Sequence, residues 1–180
     1  KILVGEIRDL DTAKIAIESS LTGHIVFTTL HTNDAPTAVT RLLDMGLEPF
    51  LVAATLETIL AQRLVRTICT KCKAPYQPSA EELYLLDLTP EQISGRNFYY
   101  GKGCDACKNT GYKGRTAVFE VVRVDNTLRD LILQKASAAQ LRVCAQRSGM
   151  QTLRESAVNK IFQGVTTIEE VVRETIAGED

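Results

Sequence analysis

The sequence predicts an α/β protein with part of a parallel sheet at its N-terminus, then a tetracysteine subdomain and a C-terminal helical subdomain. Two apolar runs at residues 2–4 and 24–30 alternate with helical patterns, and this order is typical of a parallel sheet. Two Cys-x-x-Cys pairs stand in the middle of the chain. Beyond residue 125 the apolar residues recur only with helical periodicity. We therefore divide the chain into residues 1–68, 69–124 and 125–180.

Strands and helices are expected to alternate in the N-terminal part. A short, continuous apolar run is typical of a strand that is buried on both faces of a sheet. Asp11 is placed to cap the first helix, Gly23 to end it, and Pro36 to stand in the first turn of the second helix. The predicted elements are a strand at 2–4, a helix at 12–21, a strand at 24–30 and a helix from Asn33 or Asp34 to Met45.

The middle of the chain mixes short elements with loops. Pro49 opens a helix, while Pro90, Gly95 and Gly101 make the tract around them rich in loops. Four helices are expected after the last strand, and the final one runs through Ile176. The predicted order before them is a helix at 49–60, a strand at 64–68, a helix at 79–87, a loop-rich tract at 88–103 and a strand at 115–124.

Composition and charge narrow the class of protein. The chain has 180 residues, of which 44% are hydrophobic and 24% charged, as in ordinary globular domains. Its net charge of −1 argues against a nucleic-acid partner. No signal peptide or run of transmembrane length is visible. Four cysteines in metal-type pairs and one alone suit a reducing compartment, so we expect a cytoplasmic protein. Because Lys1 begins directly in an apolar strand, we interpret the chain as a fragment or ordered part of a longer protein.

The cysteines indicate a metal site. Cys69 and Cys72 form one pair, Cys104 and Cys107 the other, and 31 residues lie between the pairs. Two such turns facing each other offer four thiolates to one Zn²⁺, and four thiolates leave no position for water, so the metal would be structural. Four unrelated thiols or two disulfides are the alternatives. The fifth cysteine, Cys144, lies in a helical pattern and is expected to be a small buried hydrophobe.

Polar residues at the ends of the two predicted strands are candidates for chemistry. Glu6 follows the first strand at the edge where open α/β sheets bind ligands, and Arg8 stands two residues further on. Glu6 is either an acid that acts in phosphoryl transfer or a solvated strand end, and Arg8 either joins it or forms a local salt bridge. His31 falls at the same edge and is a candidate phosphate sensor, whereas His24 falls at the opposite edge and is expected to be structural.

The segments Gly5–Asp9 and Thr22–Ala35 resemble the Walker B and histidine boxes of secretion ATPases, the hexameric motors of type II secretion and type IV pilus assembly. Residues 41–46, 61–66 and 114–120 and both cysteine pairs also match the family's pattern. The resemblance implies a RecA-like sheet and ATP hydrolysis with Mg²⁺, with Glu6, His31 and Arg8 at the nucleotide. It also implies a homo-hexamer at the inner-membrane face, bound to a membrane platform protein.

The chain departs from the family pattern in one important respect. It lacks the Gly-x-x-x-x-Gly-Lys-[Ser/Thr] loop that cradles phosphates, so we expect the C-terminal half of a motor that is inactive alone. The tetracysteine segment is absent from pilus-retraction members. In having this segment the chain resembles the assembly or secretion motors. We favour a motor of pilus assembly, and a type II secretion motor is the alternative.

Two other classes of function are alternatives to a motor ATPase. A non-catalytic, zinc-stabilised module that docks a membrane platform protein fits the same residues. A zinc-ribbon nucleic-acid binder does not, because the chain has neither excess positive charge nor an aromatic-basic stripe. A phosphate-binding loop encoded upstream of Lys1 would separate the motor from the docking module.

Overall fold

A computed structural model describes residues 1–176. The strands are β1 (Ile2–Val4), β2 (Val26–Thr28), β3 (Thr58–Ile68), β4 (Lys73–Tyr76), β5 (Phe98–Gly101) and β6 (Tyr112–Arg123). The helices are α1 (Leu10–Leu21), α2 (Ala35–Asp44), α3 (Pro49–Thr55), α4 (Ala80–Tyr84), α5 (Pro90–Ile93), α6 (Asn126–Leu133), α7 (Ala138–Arg147), α8 (Leu153–Phe162) and α9 (Ile168–Ile176). None of the helices in this described part is long and apolar enough to cross a lipid bilayer.

The described chain forms two compact units, each built from two segments. The first unit contains Lys1–Ala61 and Glu120–Met150, and the second contains Gln62–Phe119 and the described residues from Gln151 onward. The chain enters the second unit within β3 and returns within β6, and these two strands pair with each other. The sequence predicted boundaries near residues 68 and 125. In the structure α6 and α7 belong to the first unit, whereas α8 and α9 belong to the second.

Strands β1 and β2 pair in parallel, as predicted, with Leu3 opposite Phe27. The expectation that both faces of these strands are buried is wrong. Val4 and Val26 pack on the core of the first unit, but Leu3 is 78% exposed and Phe27 58% exposed. Successive side chains of a strand point to opposite faces, and the described residues bury only one face of this two-stranded sheet.

Two aspartates fix the starts of the first two helices. Of the two predicted starts of α2, Asn33 and Asp34, the cap is Asp34, whose carboxylate accepts a hydrogen bond from Thr37 N at 2.8 Å. Helix α1, however, is capped by Asp9 and not by Asp11: the Asp9 carboxylate accepts from Thr12 N at 2.8 Å. Asp9 has the extended backbone that an N-cap requires, so the helix begins earlier than its apolar pattern suggested.

The segment after Pro49 differs most from prediction. Helix α3 ends at Thr55 instead of Leu60, and β3 begins at Thr58. Side chains along β3 alternate between exposed and partly buried positions, so the strand period of two prevails over helix propensity there. Strand β4 was not predicted. It pairs antiparallel with β5, which together with α5 occupies the tract expected to be a loop.

A buried ion pair fixes α9 to β3 in the second unit. Glu170 is 1% exposed, and its carboxylate accepts hydrogen bonds from Arg66 N at 2.8 Å and from Arg66 Nε at 2.7 Å. Arg173 lies 2.6 Å from the same carboxylate. Since a buried carboxylate is costly unless it is paired, these contacts explain why Glu170 is tolerated in the core.

Candidate functional site

The C-terminal ends of β1 and β2 lie side by side and carry the predicted catalytic residues. Beyond the paired strands, Ile7 N donates to Thr29 O at 3.0 Å. The hydroxyl of Thr29 donates to Gly5 O at 2.7 Å. These bonds hold the loop after β1 beside the loop after β2, so both loops meet at the edge where parallel sheets bind ligands.

The structure brings Glu6, Arg8 and His31 together at this edge. Glu6 Oε1 lies 2.5 Å from His31 Nε2, and Glu6 Oε2 accepts a hydrogen bond from Arg8 Nε at 2.6 Å. The His31 contact is close but does not have hydrogen-bond geometry, and Oε1 accepts no hydrogen bond within the described chain. The side chains of His31 and Arg8 are 86% and 75% exposed, against 20% for Glu6. A mostly covered carboxylate therefore lies beneath two exposed, nitrogen-bearing side chains.

Electrostatics keeps Glu6 ionised. The hydrogen bond from Arg8 lowers the pKa of the Glu6 carboxyl, and the opposing effect of desolvation is smaller. The same pairing raises the pKa of Arg8. At neutral pH the site therefore holds an anionic carboxylate, whose Oε1 is buried beneath the contact with His31 Nε2.

The second histidine lies at the end of α1. His24 Nδ1 is 3.1 Å from Ser19 O and 3.3 Å from Thr22 Oγ1, and the ring is exposed. Carbonyl groups in the last turn of a helix lack helical partners, so a ring N–H directed at Ser19 O closes this terminus. The structural role of His24 stays a prediction, which these contacts at the helix end motivate.

The four paired cysteines converge in the second unit. Their sulfur atoms all lie within 4.8 Å of one another, with separations of 3.9 Å for Cys69–Cys104, 3.9 Å for Cys72–Cys107 and 3.7 Å for Cys104–Cys107. A disulfide needs about 2.05 Å between sulfurs, so none of these pairs is bonded. Zinc with Zn–S bonds of about 2.3 Å requires sulfurs about 3.8 Å apart in a regular tetrahedron. The observed separations therefore fit a four-thiolate metal centre.

The thiols differ in their readiness to ionise. Burial raises the pKa of Cys72 to about 12. Burial also opposes ionisation of Cys107, but N–H groups of Cys104 and Gly111 directed at its sulfur lower the pKa of this thiol to about 6. Cys107 is thus prepared as a thiolate, whereas burial opposes ionisation of Cys72 unless a cation shares the site.

Two glycines allow the backbone to close around the cysteines. A Cβ atom on Gly101 would lie 2.0 Å from the carbonyl oxygen of Gly111. That same oxygen accepts a hydrogen bond from Cys69 N at 2.9 Å, which joins the first cysteine pair to the second. No side chain fits between these two backbone segments.

We therefore expect Gly101→Ala to destabilise the cysteine subdomain. Forced overpacking costs about 1–3 kcal/mol, and a clash with backbone belongs at the upper end. Thermal unfolding and metal content of the purified chain measure the effect. Gly5→Ala is the matched control, because a Cβ there meets nothing within 4 Å. Equal stability of both variants would show that the close approach is not required.

Sequence reasoning missed two residues that hold the loop after His31. Glu120 accepts a hydrogen bond from Ala35 N at 2.8 Å, and Arg142 lies 2.5 Å from Asp34. For Glu120 a signal existed: it is the polar member of an inward-facing series in β6, between Val118 and Val122. For Arg142 the local pattern held no comparable signal.

These features occur in a sequence that matches the family described as Type II/IV secretion system protein over residues 1–173. The chain therefore belongs to this family, and the predicted resemblance to secretion ATPases is confirmed. Its described part has a mixed α/β fold similar to that of the pilus retraction motor PilT with bound ADP (TM-score 0.63, 23% identity, 96% of this chain and 39% of that one). The Yersinia pseudotuberculosis ATPase DotB is also similar (TM-score 0.65, 19% identity, 97% and 37%). At such identities the likeness concerns the fold alone.

Two curated relatives give a more particular comparison. The chain is 51% identical over 175 residues to the type IV pilus assembly ATPase PilB of Thermus thermophilus. The aligned region covers 97% of this chain and 20% of the relative. It is 45% identical over 174 residues to the type II secretion system protein E of Pseudomonas aeruginosa. Here the aligned region covers 97% of this chain and 34% of the relative. The chain thus spans between a fifth and about a third of the length of these relatives.

Proposed function

We propose that this chain is the C-terminal portion of a hexameric motor ATPase that couples ATP hydrolysis to type IV pilus assembly. The observation that carries the proposal is the meeting of Glu6, Arg8 and His31 at one edge of a parallel strand pair. Family membership and the identity to a pilus assembly ATPase supply the reaction. A RecA-like sheet is part of the same proposal, and the parallel pairing of β1 with β2 supports it.

In the proposed reaction Glu6 acts on the attacking water. Its ionised carboxylate would accept a hydrogen bond from a water placed beside the γ-phosphate. Arg8 holds the other oxygen and fixes the orientation of the carboxylate. Mg²⁺, which accompanies ATP, would neutralise charge on the phosphates.

His31 would serve at the phosphate end of the substrate. Its ring is largely exposed at the sheet edge and touches Glu6 through Nε2. An imidazole N–H there is suited to donate to the γ-phosphate and to respond when that group is lost.

Zinc would hold the second unit together without joining the reaction. The residues that would bind it are Cys69, Cys72, Cys104 and Cys107, whose sulfur separations suit a tetrahedral ion. Four thiolates complete the coordination shell, so no water on the metal would be activated. The zinc would therefore stabilise the tetracysteine subdomain, including the antiparallel strands β4 and β5, which lie between the two cysteine pairs in sequence.

Type II secretion is the second candidate for the process served. The 45% identity to a type II secretion protein is close to the 51% identity to the pilus assembly ATPase. For either process we propose a homo-hexamer bound to a membrane platform protein at the cytoplasmic face of the inner membrane, as the family resemblance implies. Net charge of −1 supports the proposal that nucleic acid is not a partner.

The two histidines should respond differently to substitution. In the full-length protein we expect His31→Ala to lower kcat for ATP about 10²-fold, the typical effect of removing one donor to a transition-state oxyanion. KM for ATP should change little, because His31 reaches only the phosphate end. His24→Ala is the matched control: it should lower the unfolding temperature slightly and leave kcat of the folded protein unchanged. Equal losses of kcat in both folded variants would contradict this assignment.

A further inference from the structure

Glu120 is a buried carboxylate directed at the start of α2. It is 1% exposed and lies on the inward-facing side of β6, between Val118 and Val122. Its Oε1 accepts a hydrogen bond from Ala35 N at 2.8 Å, across 85 positions of sequence. Ala35 is the first residue of α2, and N–H groups in this first turn have no partner within the helix.

Helix α2 already has an ordinary cap, so Glu120 is an additional anchor. Asp34 supplies the cap through its bond from Thr37 N, and the other oxygen of Asp34 accepts a hydrogen bond from Arg142 Nη2 at 2.5 Å. Two residues from a distant part of the chain thus bind two consecutive residues at the helix start. A buried carboxylate is costly without such partners, and the positive end of a helix dipole reduces that cost.

These anchors lie directly after the loop that carries His31. Its other end is fixed by the bonds of Thr29 with Ile7 and Gly5. Only four peptide units separate His31 from Ala35, so a shift at the helix start reaches the imidazole through a short, irregular segment. The loop is therefore held at both ends, and the distal end depends on Glu120 and Arg142.

We propose that Glu120, supported by Arg142, is a positioning residue that holds His31 against Glu6. This inference rests on the proposed ATPase function and assigns a role to β6 and α7 in that reaction. Glu120 acts through the backbone N–H of Ala35, and Arg142 acts through the carboxylate of Asp34. The alternative is that the anchors stabilise the fold and nothing more.

A double-mutant cycle in the full-length protein tests the proposal. We expect Glu120→Ala to lower kcat for ATP about tenfold, since small misplacements of a catalytic group have effects of this order or larger, with KM within about twofold. Glu120→Gln should restore most of kcat, because its amide oxygen still accepts from Ala35 N. In the His31→Ala background, Glu120→Ala should have no further effect, because residues that act as a unit are not additive.

Glu170→Ala is the matched control. Glu170 is equally buried and also accepts a backbone hydrogen bond of 2.8 Å, but it lies in the second unit. It should lower the unfolding temperature without changing kcat at temperatures where the protein is folded. Arg142→Ala, at a half-exposed position, supplies a second variant if Glu120→Ala does not fold, with an expected loss of about threefold that also disappears in the His31→Ala background.

The outcomes separate this inference from the proposed function. Normal kcat in His31→Ala would overturn the role of His31 and this inference with it. A reduced kcat in His31→Ala together with normal kcat in the folded anchor variants would overturn the inference alone. If the loss of kcat from Glu120→Ala multiplied with the loss from His31→Ala in the double variant, the inference would also be overturned. Glu120 would then affect turnover by a route that does not involve His31.

Discussion

Exchange of Glu6 for glutamine is expected to reduce ATP hydrolysis by the full-length protein about 10²-fold or more, the scale of a positioned acid–base group. The substitution keeps the shape of the side chain but removes the negative charge that Arg8 now stabilises. An amide oxygen is a much weaker base than a carboxylate. Nucleotide binding and ring assembly should persist, since the proposed phosphate-binding loop lies outside this chain.

The measurement is steady-state phosphate release, with nucleotide affinity determined in parallel. Glu18→Gln is the control, because it makes the same chemical change at an exposed position of α1. Normal turnover in Glu6→Gln would exclude Glu6 from the mechanism and favour a solvated strand end. If Glu6→Gln lost both nucleotide binding and turnover, the result would instead indicate a structural role for the carboxylate.

Replacement of Cys72 by serine should remove zinc and unfold the cysteine subdomain. One of the four sulfurs that lie within 4.8 Å of one another is lost, and a hydroxyl is a poor substitute for a thiolate ligand. Structural zinc sites contribute folding free energy directly, so residues between the two pairs should become sensitive to proteolysis. The parallel pairing of β1 with β2 belongs to the other unit and should remain.

Metal analysis of the purified chain should give one zinc per protomer, and none for Cys72→Ser. Cys144→Ser is the control, since this thiol lies on α7 in the first unit and is not among the converging sulfurs. Its zinc content should be normal. A metal-free wild-type chain of full stability would contradict the proposal of a zinc centre.

Features encoded by local patterns were predicted from the sequence. The parallel pairing of β1 with β2 followed from the alternation of apolar runs and helices. The cap at Asp34 followed from a short polar side chain directly before a proline-containing helix. Convergence of the cysteines followed from their spacing, because each two-residue turn aims two sulfurs the same way.

Features that depend on distant contacts were not predictable in the same way. The exposure of Leu3 and Phe27 depends on what covers the outer face of the strands, which strand composition does not specify. The antiparallel pairing of β4 with β5 was not predicted, because prolines and glycines in and near these strands are typical of loops. The contact of Glu120 with Ala35 joins residues 85 positions apart, so no local periodicity indicates it.

Steady-state ATP hydrolysis by the full-length protein, compared with that of the isolated 180-residue chain, tests the central claim most directly. The sequence of the chain contains no Gly-x-x-x-x-Gly-Lys-[Ser/Thr] loop, so its residues supply an acid and a histidine but no cradle for the phosphates. We expect turnover by the full-length protein and none by the isolated chain, even when its zinc content and fold are intact. Absence of hydrolysis by an assembled full-length protein, or genuine turnover by the isolated chain, would contradict the account.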